Sequence, residues 1–392
     1  MKTKKIIIVG GRLTGLYLAN ILEQLKIPAV LIERDNLTSV AKQNRDGRVS
    51  SISYQSSKIL EHHKLWQLFE GTYCPIEQIR ISDNHSPLFL HFDNEMIDNV
   101  PLGFMLENQF VLTKLIKNLQ KAKFVEVIDN NSIIEIANLP EKITAKTDSG
   151  LMIEGQLLID ASGKFSRLRE MANLKSHSYS YGQTAMVFNV SHKENHNNIA
   201  QEIFMPSGPF AILPLKDGYS SAIVWTEKSE LAEIYLKMSK KEFQLHLSEK
   251  FMEYFGKSEV ISEVFAYPLS VKFSNEYFKG RLCLLGDSAH SMHPIAGQGF
   301  NQTIRDINSL ADLLKYHFNL GLDLGSKMLL EDYQTERRFD NHAMIAITDV
   351  LNKLFSNNIL PLSVTRKLGL AAVNKLPGLQ KFFMKYAMGE RG

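Results

Sequence analysis

Residues 281–301 read Arg281-Leu-Cys-Leu-Leu-Gly-Asp-Ser-Ala-His-Ser-Met-His-Pro-Ile-Ala-Gly-Gln-Gly-Phe-Asn301, and the pattern runs on to Arg305-Asp306. Leu282 to Leu285 form a short apolar run, the signature of a strand covered on both faces. Gly286 breaks the run, and Asp287 then stands where an open α/β sheet presents its ligands, past the carboxyl end of a strand. Pro294, Gly297 and Gly299 shape the following loop, and a helical period extends from Gln298 to Tyr316. A helix that opens on glycines leaves backbone N–H groups and a partial positive charge facing outward, which suits a phosphate or another anionic group.

The start of the chain carries the complementary half of a nucleotide site. Lys5 to Val9 reads as a strand, Gly10-Gly-Arg-Leu-Thr-Gly15 follows at once, and an amphipathic helix leads to a second strand, Ala29 to Glu33. This is a βαβ unit whose acid, Glu33, with Arg34 beside it, lies about 20 residues beyond the glycines, where a ribose hydroxyl is held. Gly10 and Gly15 fill the first and third glycine positions, but Arg12 fills the second. That leaves two arrangements open: Arg12 turns its guanidinium onto the phosphates, or it holds the dinucleotide further off.

At 392 residues, with 44% hydrophobic and 22% charged residues, the composition is that of a soluble globular protein with room for one large or two ordinary domains. A net charge of +3 gives no footprint for nucleic acid. Two distant cysteines, Cys74 and Cys283, make neither a disulfide framework nor a metal cluster, and point to a reducing, cytoplasmic setting. Lys2, Lys4 and Lys5 precede an apolar run too short for a signal peptide. No apolar stretch approaches the roughly 18 residues that span a bilayer.

The expected fold is α/β, with the nucleotide domain assembled from residues 1–75, 100–175 and 270–330. Residues 76–99 and 176–269 read as a β-rich substrate domain, and 331–392 as a helical C-terminal region with breaks at Pro361 and Pro377. Strands are expected at Ala185–Val190, Gln201–Met205, Phe210–Leu215 and Ser220–Thr226, together with an alternating segment around the turn Asn84-His-Ser-Pro87. Together these segments suggest one sheet walling a cavity, with Trp225 as a wall residue. Helices are expected over Asn108–Leu119 and Glu227–Phe255.

Three segments carry a family resemblance: Gly10–Gly15 with Glu33 and Asp46-Gly-Arg48; Asp160-Ala-Ser-Gly163 with Ser166 and Arg169; and Arg281–Asp306. Gly208–Leu215, Trp225-Thr226 and Tyr267-Pro-Leu269 add to it. The chain resembles the class A flavin monooxygenases, specifically the ubiquinone-biosynthesis hydroxylases that act on polyprenylated phenols. The resemblance implies a Rossmann-like FAD-binding domain of the GR2, para-hydroxybenzoate-hydroxylase-like type, with an inserted β-sheet substrate domain. It also implies FAD as cofactor, NAD(P)H as co-substrate and dioxygen activation by the cofactor.

Carried over by position, the cofactor residues are Gly10, Gly11, Arg12, Gly15, Glu33 and Arg34 at the adenosine end, with Arg48 and Asn108/Gln109 in contact. Asp160 and Gly163 fall near the pyrophosphate, and Gly286 and Asp287 at the ribityl chain. Pro294, Gly297, Gln298, Gly299, Phe300 and Asn301 fall around the flavin ring. One position departs from the pattern: relatives carry aspartate where this chain has Ser162, and Asp160, two residues earlier, is expected to point away from it.

No side-chain nucleophile is required, and His290 is a flavin-adjacent candidate rather than a catalytic assignment. His290 and His293 lack the further ligands of a metal site. His62-His63 read as a solvated helix face, and Asp306 as charge complementing a helix dipole or as a cofactor contact. The segment from Val373 to Met388 is apolar and basic, compatible with a docked helix or with a peripheral membrane contact. Two further readings stand beside the hydroxylase: a silent flavoprotein-like subunit scaffolding a biosynthetic complex, and catalysis on a different, soluble aromatic. A homo-oligomer fits either. A flavin-dependent halogenase is disfavoured because the two tryptophans lie far apart.

Overall fold

The structure, a computed structural model, describes residues 5–43, 47–84, 89–356, 373 and 376–390. Its parallel sheet comprises β1 (Ile6–Val9), β2 (Ala29–Ile32), β3 (Val125–Ile128), β4 (Leu157–Asp160) and β5 (Leu282–Leu284). Their order across the sheet is β5-β4-β1-β2-β3, with a short antiparallel edge strand, Phe278–Lys279, beside β5. Ile6, Ile7, Ile8, Leu282, Cys283 and Leu284 are all fully buried, which explains why these strands read as unbroken apolar runs.

Five helices pack around this sheet and its crevice: α1 (Leu13–Gln24), α2 (Asn108–Leu119), α3 (Gln298–Asn319), α4 (Lys327–Phe355) and α5 (Pro377–Ala387). From β1 the chain proceeds to β2 on one side, while β4 flanks β1 on the other. A crevice between diverging connections therefore opens at the carboxyl ends of β1 and β4.

A second, nine-stranded sheet runs in the order His290–Ser291, Phe265–Ser274, Ser176–His192, Ser220–Lys228, Gly208–Pro214, Ile199–Met205, Gln78–Asp83 and Phe89–Asp93, with Ser258–Val260 also paired to Ser176–His192. The segment before α2 thus joins the later strands through parallel pairing of Gln78–Asp83 with Ile199–Phe204. The strand Phe265–Ser274 runs unbroken across the 269/270 division drawn from sequence. Of the expected turn, Asn84 adopts φ +52°, while His85 to Pro87 lie outside the described residues, as does Pro361.

Trp225 is not a cavity wall. It is fully buried between this sheet and two helices, packed on Tyr235, Phe243 and Phe210. The single helix expected over 227–255 is two, Ser229–Lys237 and Lys240–Phe255. Ser239 and Glu242 stop the first and start the second by reciprocal bonds, Ser239 N to Glu242 Oε2 at 2.9 Å and Glu242 N to Ser239 Oγ at 3.3 Å. A three-stranded meander, Ile133–Asn138, Ile143–Thr147 and Met152–Gly155, stands where the sequence gave no strand expectation. The expected break at Pro377 is present: Leu376 is extended, and Pro377 opens α5 at its first position.

Candidate active site at the carboxyl edge of the parallel sheet

The turns after β1, β2, β4 and β5 share one edge of the sheet. After β1, Gly10 takes φ +112°, and a Cβ there would lie 2.5 Å from the Ala161 carbonyl oxygen. A Cβ on Gly15 would lie 1.8 Å from the Gly10 carbonyl oxygen, so α1 presses directly onto the turn and its N-terminal N–H groups face the crevice. Buried Glu33, just past β2, accepts hydrogen bonds from Gly11 N and, at 3.0 Å, from Asp35 N. The Arg12 guanidinium pairs with Asp35, 2.7 Å away, on the β2 side of the turn. Arg34 is largely exposed, 3.8 Å from the same carboxylate.

After β4 the expected geometry is overturned. Asp160 and Ser162 do not point apart: residues two apart share a face of an extended chain, and past the end of the strand at Asp160 the two side chains bond each other. Asp160 Oδ1 accepts from Ser162 N at 3.0 Å and from Ser162 Oγ at 2.6 Å, and its Oδ2 accepts from Ser166 Oγ. Burial raises the Asp160 pKa, and these bonds oppose the shift. Asp160 is fully buried, so its carboxylate organises the turn and does not face a cofactor; Ser162 is the exposed member of the pair. Gly163 follows with φ +89° and open space where a side chain would stand.

Arg169, also buried, ties this turn to the next. It donates to the Ser288 carbonyl at 2.7 Å and to that of Lys164 at 3.0 Å. Ser288 Oγ in turn donates to the Asp160 carbonyl at 2.5 Å.

After β5, Gly286 takes φ +62°, and a Cβ on it would meet Thr303 of α3 at 2.8 Å and Thr14 of α1 at 3.2 Å. The first turns of α1 and α3 thus press on this turn at Gly286, beside Asp287. Its side chain is open to solvent, yet protein atoms crowd it enough to raise its pKa, with His290 and Lys164 working in the opposite direction. A carboxylate on the floor of an open cleft satisfies both observations.

The loop to α3 sorts its residues into outward and inward sets. Pro294 is exposed, and Gly297 caps α3 with φ +62°, seated 2.8 Å (as a Cβ) from Ser51. Gly299 is open, its nearest neighbour being Met292 Cγ at 3.7 Å. Gln298 Nε2 reaches the Ala387 carbonyl at 3.5 Å. Three residues assigned to the flavin ring or beside it are instead turned into the protein. Asn301 donates to the carbonyls of Ser51 at 2.9 Å and Gly297 at 3.1 Å, and accepts from Ser53 N at 2.9 Å. Phe300 packs on Tyr17 of α1, ring centroids 5.7 Å apart. His290 is buried and bonded to Asp306 through Nε2.

Asp306 is therefore neither a dipole charge nor a cofactor contact. It is fully buried and also accepts from Arg337 Nε at 2.9 Å and Asn341 Nδ2 at 3.0 Å. Burial alone would raise its pKa, but His290 and Arg337 outweigh that and hold it below the ordinary carboxylate range. Arg337 lies on α4, 31 residues along the chain, so no local pattern announced it. His293 parts from His290, bonding Gln183 Oε1 at 3.2 Å. His63, expected in solvent, is buried against Asn308 at 2.8 Å, while His62 is exposed.

Further from the crevice, Arg48 is exposed with its guanidinium 5.8 Å from the Tyr267 ring centre, and Asp46 lies outside the described residues. Gln109 donates to the Val40 carbonyl at 2.7 Å, and Asn108 Oδ1 accepts from Ser50 Oγ at 2.6 Å.

Two helix N-termini, a strand-end acid at Glu33, an open carboxylate at Asp287 and unobstructed backbone at Gly163 and Gly299 fit an extended dinucleotide with an aromatic ring system. Comparison with known proteins agrees. Residues 3–348 match the FAD binding domain family. The ubiquinone hydroxylase UbiL of Rhodospirillum rubrum is 37% identical over 388 residues, covering 99% of this chain and 90% of that one. The 3-demethoxyubiquinol 3-hydroxylase of Escherichia coli K12 is 30% identical over 387 residues, 98% of each. In fold, the p-nitrophenol 4-monooxygenase of Pseudomonas putida DLL-E4 superposes with a TM-score of 0.82 over 99% of this chain and 98% of that one, at 16% identity. The chain belongs to the FAD-binding monooxygenase family, among the hydroxylases of ubiquinone biosynthesis.

Proposed function

We infer that this chain hydroxylates the aromatic ring of a polyprenylated phenol on the route to ubiquinone, using FAD, NAD(P)H and dioxygen. The observation that carries the reading is the meeting of α1, α3 and the Asp287 turn at one open edge, in a chain alike over its whole length to a ubiquinone hydroxylase. When bound, FAD supplies the redox and oxygen chemistry.

The chain's own residues then have definable tasks. Glu33 offers its remaining lone pairs to the adenosine ribose, since a carboxylate accepts about four hydrogen bonds and two are taken here. The N-terminus of α1 faces the pyrophosphate, and Asp287 accepts from a ribityl hydroxyl. The Gly297–Gly299 end of α3 favours negative charge on the ring edge that it faces. The same loop packs Ile295 into a buried apolar cluster with Phe92, Phe204, Met384 and Met388, which anchors α5 beside the site.

The test is the absorbance spectrum of the gently purified protein, followed by NAD(P)H oxidation with a prenylated phenol. A flavin spectrum and oxidation accelerated by the phenol, with ring-hydroxylated product, are expected. A colourless protein that takes up no FAD would overturn the reading in favour of a scaffolding subunit.

A further inference from the structure

The helix α5 has its polarity reversed. A helix docked on a protein buries an apolar stripe and turns polar residues outward. Here the inward stripe is narrow: Gln380, Met384 and Met388, with Gln380 Nε2 donating to the His91 carbonyl. Outward stand Leu376 (55% exposed), Leu379 (38%), Phe382 (62%) and Phe383 (40%). Lys381 and Lys385 are exposed beside the phenylalanines, Lys385 lying 3.6 Å from Glu390, and no acidic residue occurs within α5 itself. Exposed apolar rings flanked by lysines are the signature of a helix lying in the plane of an anionic bilayer surface.

The far end of α5 is fastened to the candidate active site. The Met388 carbonyl accepts from Gln55 N at 3.0 Å, the Gly389 carbonyl from Arg305 at 3.1 Å, and the Ala387 carbonyl from Gln298 at 3.5 Å. Met384 and Met388 share their apolar cluster with Ile295, two residues before Gly297. We propose that the outward face of α5 docks this protein on an anionic lipid surface, holding the N-terminal end of α3 about one helix diameter, roughly 10 Å, from the bilayer. Docking itself is independent of the hydroxylase reaction. Only its use, giving a prenyl tail a short path from the membrane, rests on that reading.

The experiment is co-sedimentation of the full-length, FAD-loaded protein with phosphatidylcholine vesicles containing about one third phosphatidylglycerol. Binding is expected, and Phe382→Ser with Phe383→Ser should weaken it by about tenfold or more. Lys381→Glu with Lys385→Glu should abolish the preference for anionic over pure phosphatidylcholine vesicles. The substituted side chains face outward, so flavin absorbance and circular dichroism of both variants should match the parent. A parent protein that stays in the supernatant, or a Phe382/Phe383 variant that sediments like the parent, overturns the proposal. Such a result would leave the face to a protein partner. Because sedimentation reads binding and not turnover, loss of hydroxylase activity on its own bears only on the function.

Discussion

Gly15 and Asp287 show how differently two residues of one cleft are constrained. A methyl group on Gly15 would stand 1.8 Å from the Gly10 carbonyl oxygen, and both partners are backbone. Gly15→Ala should therefore cost about 3 kcal/mol in urea unfolding, the upper end of typical overpacking, and release FAD. Asp287 is exposed and, among the described residues, no cation bonds it, so its charge adds little to the stability of the protein without FAD. Asp287→Ala should leave the melting temperature of the FAD-free protein unchanged or raise it. The same change should weaken FAD binding, measured by flavin fluorescence, by about ten- to a hundredfold, the worth of a hydrogen bond to a charged group. Lower melting with unaltered FAD affinity would place Asp287 in the scaffold instead.

At the level of elements, α3, α4 and the turn after β5 are locked by a buried ion network. Removing one partner of a buried pair costs about 3–5 kcal/mol because the other charge is stranded. Arg337→Met should accordingly unfold at markedly lower denaturant, although Arg337 bonds to Asp306, Gln302 and Asn341 and to none of Glu33, Gly163, Asp287 and Gly299. The loop before α3 adds a pH dependence. Burial lowers the His293 pKa to about 4 from the ordinary 6.5. Between those values the unfolded chain binds the extra proton and the folded chain does not, so stability is whole above pH 6.5 and drains away as pH falls toward 4. The loss is roughly 3 kcal/mol at most, at 1.36 kcal/mol per unit. His63, His192 and His196 are shifted the same way, chiefly by burial, and steepen the fall. His293→Asn should flatten part of the profile in urea titrations between pH 6.5 and 4; an unchanged slope would mean that His293 protonates freely in the folded state.

For the whole molecule, the turns proposed to hold the cofactor come from residues 10–15, 33, 163 and 287–299, which belong to segments nearly 300 positions apart. Ligand that binds only the folded state stabilises it by about 2.7 kcal/mol at a hundredfold excess over Kd. Saturating FAD should thus raise the melting temperature by several degrees, in a concentration-dependent way, and the Asp287→Ala protein should show a smaller rise at equal FAD. No helix among the described residues is long and apolar enough to cross a membrane.

The sequence by itself determined the elements whose signals are local. Leu282–Leu285 had to be a doubly covered strand, Asn108–Leu119 an amphipathic helix, and Gly10–Gly15 with Glu33 a nucleotide turn, because periodicity and glycine placement act within a few residues. Ser239-Lys-Lys-Glu242 is a local signal of the same kind, a helix start masked by the continuous helical period on either side of it. Only the tertiary structure decided where side chains with several options went. Arg12 chose Asp35, Asp160 chose the hydroxyls of Ser162 and Ser166, and His290 and Asp306 turned to each other and to Arg337. Those partners lie between 2 and 31 residues away, and elsewhere in the site the separation is far larger, 250 residues in the bond from Asn301 to the Ser51 carbonyl. A buried polar group takes whichever partner folding brings within reach, and linear spacing carries no record of that distance.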